Sequence, residues 1–563
     1  MPKAIADGGF HIERYVIIFA MVCFSISWLW PVRGVVWGGA NQEVVALSGL
    51  AVAFFLLSPR RVSLTRPIAV IHFLMFLPLL QVCLGSISFS GDGWLNSLYV
   101  LAFFASATLS FNLSQNVGRR QQFVELFCAI VLVASFLSAL IAIRQWLGIA
   151  DSIWEMHHQG ARPYANFSQP NHLASLLCFA VVSVIYFYER HIFNRISSSL
   201  ILLFLLVGVV ITQSRTSWMV AALMFVLWVR FGRQRELRLS PLVLFSWILV
   251  FGSMTLLLPV LSEFMLLTSQ SLADRVGASA RLDIWSAVLR IIADGPILGF
   301  GWGQIPVAQV EYFQKYPIQG GILTYSHNLF LDILLWNGVV IGGGVILFIV
   351  AWQVKLLKNV KELDAIAALL VVGVFFTHSM FEYPHAYAYF LIPAGLMLGV
   401  AESSREAALS ISFPVWLRVT LSIVVVGVLV QVVREYRYFE QNDFNRRMTD
   451  AKIIGFDQVE LPGGVFILTQ LDALQSFQRQ DPAAHIESSE LDEMALVVAR
   501  YPTLANIYRY SLSLAASGRL EAAKTQLALL ATIHGPTFYE LALDQIGDKL
   551  GSDVRGALAG PAE

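Results

Sequence analysis

Apolar runs of nearly the length that crosses a bilayer recur about thirteen times along this chain. A helix needs roughly 20 such residues to cover the hydrocarbon core. The runs lie near 15–31, 43–58, 67–85, 95–112, 123–147, 172–188, 197–213, 216–231, 241–261, 328–353, 364–381, 385–401 and 414–433. Hydrophobic residues make up 57% of the 563, and charged residues only 13%, where a soluble domain carries about 25%. The fold expected is therefore all-α: a polytopic membrane protein with the lipid bilayer as its solvent. Formal net charge is zero, which implies no polyanion-binding surface and no nucleic-acid partner. Cys23, Cys83, Cys128 and Cys178 all lie in apolar segments, with neither a disulfide framework nor zinc-ligand spacing. About a dozen mixed polar residues precede the first run, and no small-residue cleavage site follows it. That run is read as a retained span.

Basic residues orient the spans. Arg60, Arg61 and Arg66 follow the second run, Arg119 and Arg120 the fourth, and Arg190 and Arg195 the sixth. Arg230, Arg233, Arg235 and Arg238 follow the eighth, Lys355, Lys358 and Lys361 the tenth, and Arg405 the twelfth. Even-numbered exits are thus expected on the cytoplasmic side and odd-numbered exits outside. Two outer segments are large, a loop near 262–327 and the tail from 434 onward. The expected domains are a transmembrane domain over 1–433, including that loop, and an outer helical domain over 434–563. Within the tail, "SLAASGRLEAAKTQLALLATIHG" repeats Ala515, Leu520, Ala523 and Leu527 at helical spacing around Gly518. It reads as a helical hairpin in a small helical domain, with a likeness to one tetratricopeptide unit.

Several polar residues run against the outer side's poverty in charge. Arg215, in "ITQSRTSW", is pinned between the seventh and eighth runs. It reads either as a snorkelling side chain or as an anion site, since a guanidinium fork suits phosphate. Arg281 precedes Ile284, Val288, Ile291 and Ile292, the pattern of an amphipathic helix along the interface. Arg275 and Arg290 flank it, Arg275 with the weaker claim to a role. Arg162 and Tyr164 lie in "GARPYANFSQPNHLA", where Pro170 opens the sixth run and Asn171 and His172 fall in its first turn. Capping by Ser168 or Asn171 explains part of that cluster, while Gln169, Asn166 and Tyr164 are of the kind that read sugar hydroxyls. His378 and Glu382 stand four apart and share a face wherever the helix extends that far. In "TYSHNLFLD", Ser326 is a possible helix cap with His327 as the first helical residue, and Asn328 is equally a possible cap; alternatively, His327 is a base at the outer surface. Asp332, five residues on, is poorly aligned to orient the imidazole through the helix.

These motifs, in this order, carry a resemblance. "SHNLFLDILLWNGVVIG", "SRTSW", "RLDIW" before "GPILGFGWG", and "HSMFEYP" are similar to the signature of the bacterial O-antigen ligase and polymerase superfamily. "ARPYANFSQPNHLASLL" resembles its protein O-oligosaccharyltransferase branch, the PglL-type glycosyltransferases. The motifs cover about residues 150–400. The resemblance implies a glycosyltransferase of the inner membrane with its active site and tail in the periplasm. Its donor is a glycan preassembled on undecaprenyl diphosphate, transferred en bloc to Ser or Thr hydroxyls of an acceptor protein such as a pilin. It further implies that His327 is the catalytic residue and that Arg215 and Arg281 hold the diphosphate, with Arg275 grouped beside them. Gln169 matches a glutamine tied to activity, Tyr383 matches loosely, and Arg162, Tyr164, Asn171, His172, His378 and Glu382 are grouped with substrate. No Asp-x-Asp pair is present for a divalent ion, so no metal or other cofactor is expected. A single inverting displacement is expected too, since no carboxylate pair suggests a covalent intermediate. A ligase acting on lipid A core, or a glycan polymerase, shares this chemistry. A transporter is the reading from another class, but the polar groups gather at one face and the runs show no duplication.

Overall fold

A computed structural model describes residues 2–34, 37–59, 61–158, 160–267, 280–405, 407, 409–453 and 464–559. Each apolar run falls on helix, because an apolar segment in lipid must satisfy its amides internally. Among the described residues, nine helices are long and apolar enough to cross a membrane: Ala40–Leu57, Arg66–Cys83, Ser90–Leu113, Val117–Trp146, Pro170–Glu189, Arg195–Thr212, Pro241–Phe264, Leu329–Asn359 and Val415–Thr449. Three apolar helices are shorter, Thr216–Gly232, Leu363–Ser379 and Ala388–Glu402. The Arg66–Cys83 segment is not continuous α-helix. A 3-10 turn at Phe73–Phe76 divides it ahead of Pro78.

The chain divides into two compact units. One comprises Met1–Met75, Leu98–Ala278 and Ile349–Val433, the other Phe76–Ser97, Ser279–Phe348 and Arg434–Glu563. In the first unit Pro170–Glu189 is apolar all round and almost wholly buried, as expected of a helix enclosed by others. Pro241–Phe264 instead exposes Leu242, Leu249, Leu256, Leu257 and Val260, a surface suited to lipid. Gly395 and Gly399 let Ala388–Glu402 lie directly on Ser90–Leu113. A Cβ on Gly395 falls 2.1 Å from Ser106 Oγ, and one on Gly399 falls 2.1 Å from the Ala107 carbonyl. This is the small-xxx-small contact of membrane helices.

Polar contacts in the first unit join helix ends of like parity. At the basic ends, Arg119 pairs with Glu13 and Arg190 with Glu125. Buried Arg120 reaches Asp364, which also accepts from the Tyr186 hydroxyl at 2.9 Å. Arg230 donates to the Leu357 carbonyl. The short strand Arg61–Leu64 pairs antiparallel with Leu409–Ser412. At the opposite ends, Trp28 donates to the Tyr389 carbonyl at 2.8 Å, Asn166 to the Leu29 carbonyl at 2.7 Å, and the Ala388 amide to Glu43. These pairings agree with the alternation read from the arginines and lysines.

The second unit collects three stretches that the charge pattern puts on the same side. The tail helices Thr469–Arg479, Ser488–Arg500, Leu504–Ala516, Leu520–His534 and Pro536–Leu550 build an apolar core around Leu491, Val498, Leu512, Leu527 and Ile546. Leu504–Ala516 and Leu520–His534 form the expected hairpin, with Gly518 left-handed between them at φ 78°. Phe313, from the Ile305–Lys315 stretch, is buried in the same core. Arg500 forks onto both oxygens of Asp92, at 2.7 and 3.0 Å, and Gln304 donates to the same carboxylate. Both partners of this ion pair are largely buried. Leaving either charge alone in such surroundings costs more than the pair contributes. Asp92→Ala or Arg500→Ala is therefore expected to lower stability by about 3–5 kcal/mol, whereas the double change to leucine recovers most of the loss. Thermal or chemical unfolding of the full chain in detergent measures both effects.

Candidate functional site

The run near 328–353 was expected as one continuous span, and the structure breaks it. Leu329–Asn359 is interrupted at Gly338, whose φ of 71° and ψ of 174° are not helical. The carbonyls of Leu335 and Trp336, which a continuous helix would use internally, accept from the Phe300 and Gly301 amides at 2.9 and 3.0 Å. Gln81 Nε2 adds a third donor, to the Trp336 carbonyl at 2.8 Å. Its Oε1 accepts from the Trp302 amide, and the Trp302 indole donates to Asn337 Oδ1 at 2.8 Å. Trp302 also stacks on Trp336, with centroids 4.8 Å apart. The "GPILGFGWG" turn thus supplies donors that end one helix and allow another to start. The short helix 329–337 is thereby set apart from the apolar stretch 339–359.

This short helix carries the histidine turn. Asn328 is its cap, its Oδ1 accepting from the Phe330 and Leu331 amides at 3.0 and 3.2 Å. Ser326 therefore does not cap the helix, and His327 is not its first helical residue. His327 has a left-handed backbone, φ 58°, a region few residues other than glycine adopt. Ser326 is fully buried, and its amide donates to Asp332 Oδ1 at 2.8 Å together with its hydroxyl. The Ser326 carbonyl accepts from the Trp285 indole at 2.9 Å. Trp285 belongs to the helix Ala280–Asp294, as does Arg281 one turn earlier on the same face. That helix is amphipathic as expected, with Val288 and Ile291 buried beside Phe300, Leu331, Leu335 and Trp336. Its end is tied by Lys315 and Tyr316, whose hydrogen bonds hold the Asp294 carboxyl below its usual range. Half-buried His327 and Arg281 thus belong to one unit, with Trp285 connecting their segments. Arg275 lies outside the described residues.

The first unit holds the other polar group. Pro170 opens Pro170–Glu189 with Gln169 at the cap position, and no side chain caps it. Neither Ser168 nor Asn171 has the capping role. Instead Asn171 Nδ2 donates to Glu382 Oε1 at 2.6 Å, and Gln169 Nε2 to Glu382 Oε2 at 3.2 Å. Arg162 reaches Asn171 Oδ1 at 3.2 Å and the Thr212 carbonyl at 2.9 Å. The latter bond ties Arg162 to the connection that carries Arg215. That connection is three residues long, with Gln213 left-handed and Arg215 exposed. Leu363–Ser379 ends before Glu382, so His378 and Glu382 do not share a helix face; the Glu382 amide donates to the His378 carbonyl at 2.7 Å. His378 is buried, as is His172, which stands edge-on to Tyr387 at 4.7 Å and Phe390 at 5.4 Å. Burial, then the Glu382 charge, pushes the Tyr383 phenol up. Tyr164 bonds back to the His157 carbonyl in its own loop.

Sequence reasoning passed over Gln81, Asn337 and Trp285, and undervalued Asp332. A usable signal existed for Gln81, an amide inside the apolar "LPLLQVCLG", because polar groups within a span are there for a reason. The glycine at the break also makes a sharp prediction. A Cβ on Gly338 would lie 1.8 Å from the Ile297 carbonyl, whereas one on Gly343 meets only open space. Gly338→Ala is expected to cost roughly 3 kcal/mol and Gly343→Ala almost nothing, as read from unfolding midpoints in detergent.

Residues 200–349 match a family described as O-antigen ligase, residues 163–188 one described as protein glycosylation ligase, and residues 366–543 one described as virulence factor membrane-bound polymerase, C-terminal. Two relatives from Acinetobacter baylyi extend the likeness over nearly the whole chain. A general O-oligosaccharyltransferase is 26% identical over 533 residues, 92% of each chain. A ComP-specific O-oligosaccharyltransferase is 27% identical over 511 residues, 89% of this chain and 91% of its own. The first two matched segments hold the Gln169–Asn171 cluster, Arg215, Arg281 and the His327 turn. Along nearly its whole length this chain is similar to O-oligosaccharyltransferases, with segments that match the O-antigen ligase and protein glycosylation ligase families, and it is a membrane glycosyltransferase.

Proposed function

We propose that the chain moves a preassembled glycan as a block from undecaprenyl diphosphate to Ser or Thr hydroxyls of an exported protein, a pilin-like one among them. The observation that carries this reading is the His327 turn: an imidazole-bearing residue held by its neighbours, connected through Trp285 to the helix of Arg281. An acceptor hydroxyl is a poor nucleophile, and a neutral imidazole relieves it of its proton as it attacks the anomeric carbon. The sugar–phosphate bond breaks in the same displacement, inverting that carbon. Negative charge then grows on the diphosphate, and guanidinium groups of fixed charge stabilise it. Arg281 and Arg215 have this role in the proposal; Gln169, Asn171, Arg162 and Glu382 contribute to substrate recognition. A diphosphate leaving group met by arginines needs no metal, so transfer is expected to persist in excess EDTA. The proposed location is the bacterial inner membrane, with the odd-numbered exits and the tail in the periplasm.

Purified chain, a lipid-linked glycan and a protein acceptor test this, with mass spectrometry locating the modified residue. His327→Ala is expected to reduce transfer by about 10²–10⁴-fold, and Arg281→Ala or Arg215→Ala by about 10²–10³-fold. Undiminished transfer by His327→Ala removes the base assignment. The matches to O-antigen ligase and membrane-bound polymerase descriptions favour a second reading, in which the acceptor is lipid A core or another glycan. Glycan found on lipopolysaccharide or lengthened on lipid, and never on protein, selects that reading.

A further inference from the structure

We infer that Asp332 is a positioning residue for His327, acting through Ser326; this rests on the reading of His327 as the base. Asp332 is fully buried, between buried Leu331 and Ile333. A carboxylate in such surroundings is tolerated where it is hydrogen-bonded. A common reason for an acidic group in a first helical turn is the helix's own free amides. Here those amides go to Asn328, while Asp332 Oδ1 reaches back six residues to both the amide and the hydroxyl of Ser326. The Ser326 hydroxyl lies 3.0 Å from the Asn328 carbonyl as well, and the Ser326 carbonyl is taken by Trp285. Every polar group of the residue before His327 is therefore engaged. On the other side, Asn328 is fixed as the helix cap. A left-handed histidine between two such anchors has little freedom to swing, which is what a general base needs in order to meet a hydroxyl at hydrogen-bond distance. The carboxylate does this by accepting hydrogen bonds, so an amide oxygen in its place should serve nearly as well.

The test uses the full chain in the same transfer assay, with membrane abundance and unfolding midpoint recorded for each variant. Asp332→Leu, which removes the acceptor, is expected to lower kcat by about 100-fold with KM for donor and acceptor nearly unchanged. Asp332→Asn, which keeps an acceptor oxygen and loses the charge, is expected to retain most of kcat. Wild-type kcat in folded Asp332→Leu overturns the inference. So does a loss confined to KM, or an equal loss of kcat in Asp332→Asn and Asp332→Leu. Should Asp332→Leu fail to accumulate, Ser326→Ala decides: a clear fall in kcat at unchanged KM supports the role, and a wild-type kcat overturns it. His327→Ala separates the two levels. If it stays active, the base reading itself fails. If it is inactive while Asp332→Leu keeps wild-type kcat, only the positioning role fails.

Discussion

The second unit depends on where two backbone carbonyls go. Leu335 and Trp336 sit in a run apolar enough to continue as uninterrupted helix, yet their oxygens are taken by the amides of Phe300 and Gly301 and the side chain of Gln81. In an apolar setting an unpaired carbonyl costs several kcal/mol, so the break persists only while those donors stay. The glycine-rich turn, the Trp302–Trp336 stack and the left-handed Gly338 form one device that meets this requirement. It leaves a short helix whose first turn is capped by Asn328, with His327 left-handed just ahead of the cap.

The first unit answers a different constraint. Its helices carry charge mainly at their ends, and those ends pair like with like: Arg120 with Asp364 at the basic side, Asn171 and Gln169 with Glu382 at the other. Both Asp364 and Glu382 are buried and serve several donors. Interhelical polar contacts of this kind fix rotation and depth where lipid-like surfaces alone specify neither.

Much of the fold was legible because apolar length and basic asymmetry are properties of single segments. The thirteen runs, the tail hairpin around Gly518 and the amphipathic Arg281 helix can all be read locally. What was not legible depends on partners distant in sequence. Nothing in "LPLLQVCLG" says that Gln81 answers a carbonyl 255 residues away. Nothing in "WNGVV" says that the chain turns at Gly338 rather than continuing. The five-residue spacing from His327 to Asp332 is unproductive through a shared helix. The contact runs instead through Ser326, which lies outside that helix. Ser326 and Asn328 are both residue types that cap, and the choice of Asn328 follows from the Ser326 hydroxyl being taken by Asp332.

The tail belongs to the same compact unit as the segment bearing Arg281 and His327, with Phe313 in its core and Arg500 locked on Asp92. It is therefore no removable appendage. A chain cut before the tail would lose the core that buries Phe313 and the partner of Asp92 along with the tail itself. Tail and loop are therefore one packed body, and a substitution in the core of either is felt by the other.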